Sequence, residues 1–229
     1  MLNNRSNEAE ILDGQSFTKE ELFQNLKELQ LVNQFLGGHA NSAKAFENCL
    51  EKGFVPDAVV DIGCGGGDTI EYLQKKFGNK LPRVQWIGSD LNPWCLEYAK
   101  GKHPGNGIQY IQSDFREIKA GKILFHASLF FHHFPNEEIT EFLRKIKSMG
   151  AALAINDLHR HPLAYASIAA IGKAPGISRL FRNDAPLSVK RGFTIQDWDL
   201  ILKNAGYENT RVSWAWAFRH IISIVPNPQ

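Results

Sequence analysis

The chain has little cysteine. Cys49, Cys64 and Cys95 are the only three in 229 residues, and no two form a CxxC pair. That spacing argues against a disulfide framework or a zinc site and fits a reducing cytosol. Charge of one sign is also scarce: a formal net charge of +2 makes no electrostatic case for nucleic acid or a membrane surface. No apolar run approaches the roughly 20 residues that span a bilayer. The opening stretch MLNNRSNEAEILDGQS lacks the basic start and apolar core of a signal peptide. Internal repeats and low-complexity segments are missing too. What is left is a cytoplasmic type of chain, sized for one decorated α/β domain, whose 43% of hydrophobic residues can bury a full core.

The periodicity supplies the organisation. A first helix is expected to start at Thr18, where Thr18 and Glu21 form a capping box and Phe17 can staple onto Leu22. Leu22, Leu26, Leu29, Val32 and Leu36 mark its apolar face, and Gly37-Gly38 stops it. A second helix is expected over 42–52. After Pro56, short apolar strands (58–63, 84–90, 108–114, 123–130 and 151–157) alternate with amphipathic stretches at 69–76, 93–100 and 135–147. Such alternation dictates a parallel sheet with helices on both faces. The last third departs from it. Segment 158–191 is helical but interrupted at Pro162 and Pro175-Gly176, and it reads as an insertion over the mouth of the sheet. A helix from Thr194, stapled by Phe193 and Trp198, precedes two β-rich stretches, 209–214 and 220–225, close enough to form a hairpin. The expected organisation is a helical cap over 1–57 and an α/β domain over 58–229.

The most informative stretch is VVDIGCGGGDT, residues 59–69. A strand ends in an acid, and four glycines crowd into the next five positions after Ile62. In an open parallel sheet, ligands bind beyond the carboxyl ends of the strands. Glycines there allow a tight turn, close ligand approach and close packing of the following helix. The dinucleotide pattern G-x-G-x-x-G fails because its third place falls on Asp68, whose carboxylate would repel a pyrophosphate. A P-loop is excluded, since no Lys-Ser or Lys-Thr follows. The pattern present is Asp61-x-Gly63-x-Gly65-x-Gly67.

This stretch resembles the first motif of class I S-adenosylmethionine-dependent methyltransferases. The resemblance extends over 58–224 and implies a Rossmann-like α/β sheet of seven strands with a terminal antiparallel hairpin. It also implies a cofactor, S-adenosyl-L-methionine (SAM), with residues to match. Asp61 faces the ammonium, and Gly63, Cys64, Gly65 and Gly67 form the turn around the amino-acid tail. Asp90, followed by Leu91, ends QWIGSDL and accepts the ribose hydroxyls. Asp114 receives the adenine amino group, with Phe115 beside the ring. Ser128 and Leu129 lie near the reactive methyl. Each acid also has a plainer reading, because an Asp at a strand end is often only a helix cap.

Methyl transfer from a sulfonium is an in-line displacement, so the protein must align the acceptor, exclude water and in some cases remove a proton. Ionising a phenol of pKa ~10 at pH 7 costs ~4 kcal/mol, and a neutral histidine can take the proton instead. The candidate bases are His132 and His133 in FFHHF and His159, with His161 beside it, in NDLHRH. Adjacent side chains at a helix start diverge, so one of His132 and His133 at most is expected to face the pocket. No histidine spacing demands a metal, and none is expected. The apolar insertion, with Leu36, Phe17, Phe23, Trp214 and Trp216 as further lid residues, suits a small aromatic or lipid-like acceptor. LGG after the leader helix and NDLHRHPLAY after the fifth strand resemble bacterial small-molecule and polyketide-type methyltransferases, which favours O-methylation. Neither nucleic acid nor membrane insertion is expected. Three rivals remain: an RNA or protein acceptor, suggested by Lys173, Arg179, Arg182, Lys190 and Arg191; a non-catalytic SAM binder; and a nicotinamide enzyme.

Overall fold

The structure is a computed structural model describing residues 2–226 apart from Gln15, His103, Asn106, Lys119 and Ala120, with Phe115 described in its backbone only. Seven strands form one sheet: β1 (Ala58–Ile62), β2 (Gln85–Asp90), β3 (Ile108–Gln112), β4 (Ile123–Ser128), β5 (Ala152–Leu158), β6 (Val212–Ala215) and β7 (Arg219–Ile224). Their order is β3-β2-β1-β4-β5-β7-β6. The first five are parallel, and β7 runs antiparallel to both β5 and β6, which is the hairpin expected from the C-terminal pattern. The strand order reverses between β1 and β4. That switch point opens a crevice at the strand tips, and the glycine-rich turn leaves β1 into it.

Both faces are covered, and this explains the continuous apolar runs in the central strands. Every residue of β1 is buried, Asp61 included. On one face, α5 (Asn136–Ser148) and α8 (Ile195–Asn204) bury Phe142, Ile146, Trp198 and Leu202 against Phe125, Leu153 and Ile155. The Phe193 staple holds, its ring 4.2 Å from that of Trp198. On the other face, α2 (Gly38–Glu51) and α3 (Asp68–Phe77) pack Phe46 between Phe77 and Trp86. Full burial of each such ring contributes roughly 1.5–3 kcal/mol. α1 (Lys19–Phe35) carries the expected capping box and lays Leu22 and Leu26 on Cys95 and Tyr98 of α4 (Pro93–Lys102).

Three boundaries differ from the sequence expectation for a physical reason. The second helix begins at Gly38 and not at 42, because Gly37 at φ +72° turns the chain without an intervening loop. A Cβ on Gly38 would lie 2.6 Å from the Asn33 amide oxygen, so the paired glycines serve as a close elbow between two helices. The strands β1 and β4 end one or two residues early, at left-handed backbone in Gly63 (φ +63°) and Leu129 (φ +54°). The insertion forms α6 (Pro162–Gly172) and α7 (Arg179–Arg191), packed on each other, with α7 also against α1. The N-terminal segment is a strap across α7: the Ser6 N–H donates to the Lys190 carbonyl at 3.1 Å, and those of Ile11 and Leu12 donate to the Asp184 carboxylate at 2.9 and 3.1 Å.

Candidate active site

The glycine turn is built for closeness. A Cβ on Gly63 would sit 2.3 Å from the Phe130 ring, and one on Gly67, at φ +74°, would sit 2.6 Å from the Tyr110 hydroxyl. A Cβ on Gly65, at φ +51°, would make only an ordinary contact, with Leu26 of α1 at 3.6 Å. Gly67 thus seats α3 against the sheet, and Gly63 admits an aromatic ring. Cys64 is buried within the turn, and burial pushes its thiol well above the ordinary range, so it is an apolar filler there.

Two acids face this turn. Asp61 accepts a 2.6 Å hydrogen bond from Nδ1 of His126 on the neighbouring strand. Asp90 accepts from the Gly65 N–H at 2.9 Å and from the Asn92 N–H at 2.9 Å, and burial raises its pKa despite those bonds. Among the described residues neither acid pairs with a lysine or arginine. A ligand with phosphates is therefore disfavoured, and one bringing an ammonium and hydroxyls fits. Leu91, 61% exposed, presents an apolar side chain at the tip of β2. Asp114 is arranged differently. Its carboxylate caps a turn through the Arg116 N–H at 2.8 Å and grips the Arg116 guanidinium at 2.7–3.1 Å, which lowers its pKa. The cap reading applies to Asp114 as it stands, and an adenine amino group would have to share that carboxylate with Arg116. The Phe115 side chain lies outside the described residues.

Beyond β4 lies an apolar cavity of about 280 Å³. Leu29 and Val32 of α1, Leu36 at its C-cap, Ile168 and Ile171 of α6 and Phe181 of α7 form its walls. Leu129 borders it, its N–H held by the Asn156 carbonyl at 2.9 Å, and Ser128 lies within 3.4 Å of the Asn156 amide. Leu36 and Trp216 are wall residues, as expected of a lid. Phe17 and Phe23 instead pack on Trp94 and Tyr98, and Trp214 is half exposed beside Phe218.

One pole of the cavity is polar. His132 and His133 both line it, which corrects the expectation that only one would, because a 3-10 turn over 131–133 places their rings 4.3 Å apart. His132 donates from Nδ1 to Asp157 at 2.8 Å, and His133 donates from Nδ1 to Asp13 at 2.9 Å. Each ring therefore keeps its lone pair on Nε2. Burial lowers the His132 pKa, against the pull of Asp157. Burial would also lower that of His133, but the bond to Asp13 and the nearby Glu10 raise it. Asp157 is fixed in turn: it accepts the N–H groups of Phe130, Phe131 and Leu158 at 3.2, 2.8 and 2.8 Å.

The strap completes this pole. Glu10 is buried and lines the cavity, accepting from the Ser188 hydroxyl at 2.8 Å. Arg191 donates to the carbonyls of His132 and His133 at 3.1 and 2.8 Å and pairs with Asp13. Arg5 reaches the carbonyls of His132 and Phe134 at 3.2 and 3.0 Å. None of Glu10, Asp13, Arg5 and Asp157 stands out in the sequence as part of a histidine site; only the fold brings segment 5–13 to the tip of β4. His159 does not line the cavity. It sits with its ring 4.6 Å from that of His220, behind the wall, and burial lowers its pKa. His161 caps α6 by accepting the Leu163 N–H at 3.2 Å. The conformation of segment 158–161 is set by its pairing with Phe193 and Phe218, which turns both rings away.

The comparisons with known proteins agree with this geometry. Residues 59–151 match the family described as "Methyltransferase domain". No curated protein sequence matches the chain. Among solved structures, the plantazolicin methyltransferase BpumL with bound SAH is similar over 86% of this chain and 79% of its own, at 18% identity and a TM-score of 0.62. Human N-acetylserotonin methyltransferase with SAM is similar over 92% of this chain and 57% of its own, at 16% identity and 0.62. Magnesium protoporphyrin IX methyltransferase (ChlM) from Synechocystis PCC 6803 with SAH is similar over 83% and 84%, at 19% identity and 0.52. The fold is that of the class I SAM-dependent methyltransferases. Residues 59–151 carry the methyltransferase-domain match, and the fold is shared with proteins solved with SAM or SAH bound.

Proposed function

We propose that the chain is a SAM-dependent methyltransferase that acts on a small, largely apolar molecule, at an oxygen, with the acceptor seated in the cavity beyond β4. One observation carries the reading: an apolar cavity ends in a pole of two imidazoles beside Leu129, on the acceptor side of the glycine turn. SAM, when bound, supplies a methyl group on a positively charged sulfur. Asp61 and the turn at Gly63, Cys64, Gly65 and Gly67 would hold its amino-acid end, and Asp90 its ribose. Leu91, Asp114 and Phe115 would surround the base, with Ser128 and Leu129 nearest the methyl. His132, neutral at pH 7 because burial lowers its pKa, offers the Nε2 lone pair to an acceptor hydroxyl. Asp157 fixes the ring's tautomer and angle. A cavity of about 280 Å³ suits an aromatic head group or a short polyketide-like body.

Two of the five basic residues that suggest an RNA acceptor are engaged within the chain. Arg191 is buried on backbone carbonyls, and Arg179 pairs with Glu21 at 3.2 Å. A protein or peptide acceptor, the other half of that rival, is included in the test. On this reading α1, the strap and the insertion cap the acceptor, whereas α2 is seated in the core. No helix of the described residues is long and apolar enough to cross a membrane. The test is transfer of label from SAM to a panel of phenols, apolar acids, lipid extract, RNA and peptide. Methylation of phenols or lipid extract is the expected outcome, and label entering only RNA or peptide would overturn the assignment.

A further inference from the structure

Glu10 joins His132 and His133 at the polar pole of the cavity. A ligand atom of Glu10, of His132 and of His133 all lie within 4.8 Å of one another. His132 Nε2 is 3.9 Å from the Glu10 Oε1. Two imidazoles and one carboxylate on one side of an open cavity form the ligand set of a divalent transition metal that keeps positions free for another molecule. The surroundings carry the argument further than the three ligands do. Metal-bound histidines donate their other ring N–H to a carboxylate, and both of these do: His132 to Asp157 and His133 to Asp13. In the neutral form of each ring the Nε2 lone pair is thereby left for the cavity. The third ligand is oriented too, by the Ser188 hydroxyl at 2.8 Å.

The charge balance permits a cation. Around the pole, the carboxylates of Glu10, Asp13, Asp157 and Asp184 outnumber the guanidiniums of Arg5, Arg191 and Arg219. Arg191 is the nearest opposing charge, 3.9 Å from Glu10, and its other donors are engaged by the carbonyls of His132 and His133 and by Asp13. Binding requires the three ligand atoms to draw in by about an ångström, to metal–ligand distances of about 2.0–2.2 Å. The strap carrying Glu10 joins the pole through side chains and turn contacts, so it is the element able to make that adjustment.

We propose that Glu10, His132 and His133 bind a divalent transition metal at the acceptor pole. The proposed role rests on the methyltransferase reading. The metal would hold the acceptor oxygen as its anion: the O–H bond breaks, the proton passes to bulk water and the oxygen keeps the electron pair. That pair then forms the new bond to the methyl carbon, and the carbon–sulfur pair returns to sulfur. In the loaded protein the His132 lone pair is a ligand and no longer the proton acceptor.

The test is calorimetric titration of the full chain, cleared of metal by a chelator and dialysed, with Zn²⁺, together with the visible absorption of bound Co²⁺. One Zn²⁺ per chain is expected, with affinity falling at least ~100-fold in Glu10→Gln and in His133→Ala and ~10-fold in Asp13→Asn. Nitrogen-ligand absorption of Co²⁺ should vanish in His133→Ala. Glu10→Gln keeps the side chain's shape and its bond from Ser188, so it carries the test if His133→Ala fails to fold. Absent stoichiometric binding, or equal affinity in wild type and both ligand variants, overturns the proposal as adventitious surface binding. SAH titrated into the same metal-free protein separates the two claims. SAH binding without Zn²⁺ binding removes the metal site and leaves the methyltransferase reading, and failure to bind SAH removes the methyltransferase reading whatever the metal does.

Discussion

The two ends of the crevice are made from the chain in opposite ways. The β1–β2 end is local: the turn at 63–67, the start of α3 and Asp90 come from short runs joined by one helix, and Gly65 donates directly to Asp90. The acceptor end is assembled from the strap, α1, the turn after β4, α6, α7 and the β6–β7 turn. Their electrostatics differ as much. At the first end, among the described residues, buried carboxylates stand without an opposing lysine or arginine. At the second, acids, histidines and arginines are bonded to one another almost throughout. A site meant for one constant cofactor can be written in a short motif, whereas a site meant for one particular acceptor is a property of the tertiary fold.

If the two ends are functionally separate, substitutions should divide cleanly between turnover and cofactor affinity. The largest effect is expected at His132. His132→Ala should lower turnover ~10²–10⁴-fold, the usual range for a positioned proton acceptor, with SAH affinity unchanged by calorimetry. A parallel loss of SAH affinity would mean that the ends are not independent. The next largest effect is on stability and lies behind the acceptor wall. His220 is fully buried with neither ring nitrogen partnered among the described residues, and burial, with His159 nearby, lowers its pKa to about 4. The unfolded chain takes up a proton near pH 6.5 that the folded chain refuses until about pH 4. Stability is therefore full above pH 6.5 and declines as pH falls through that window, by about 3 kcal/mol from this group. His220→Leu should flatten that part of a denaturation–pH curve, and an unchanged slope would remove His220 as its source.

Asp90→Ala addresses the local end. Loss of a charge-assisted bond to a ribose should weaken SAH by on the order of 2 kcal/mol, read by calorimetry. The same carboxylate holds the Gly65 and Asn92 N–H groups, so Asp90→Asn, which retains an acceptor, should recover part of the loss. Unchanged SAH binding in Asp90→Ala would take the ribose from this residue.

This division also explains what could be read from the sequence. The strands, the hairpin, the Thr18 capping box, the helix start at Thr194 and the Phe193–Trp198 staple all follow from spacing within a few residues, and the structure contains them. The elbow at Gly37-Gly38 was not legible as an elbow, because the need for glycine at 38 comes from the Asn33 side chain in the preceding helix. His132 and His133 stand out as a pair. Their separate carboxylates come from β5 and from the strap, 25 and 120 residues away, and no local pattern announces either. His159 is equally prominent in the sequence but is turned away by a bridge to Phe193, again a long-range contact. Glu10 reads as one more charge in a polar leader until the fold buries it.

The smallest expected effect joins the two ends. α1 touches both, since Leu26 lies above Gly65 while Leu29 and Val32 wall the cavity. Its N-terminus is held by Thr18, whose hydroxyl accepts the Glu21 N–H at 3.2 Å while Glu21 accepts the Thr18 N–H at 2.9 Å. Thr18→Ala removes half of that box and should destabilise the protein by about 1 kcal/mol in denaturant unfolding. Because the frayed turn lies far from Asp90 and His132, SAH affinity and turnover measured well below the unfolding midpoint should both change less than ~2-fold. A change confined to one of them would show that α1 belongs energetically to a single end of the crevice. Equal and larger losses in both would show that its first turn couples them.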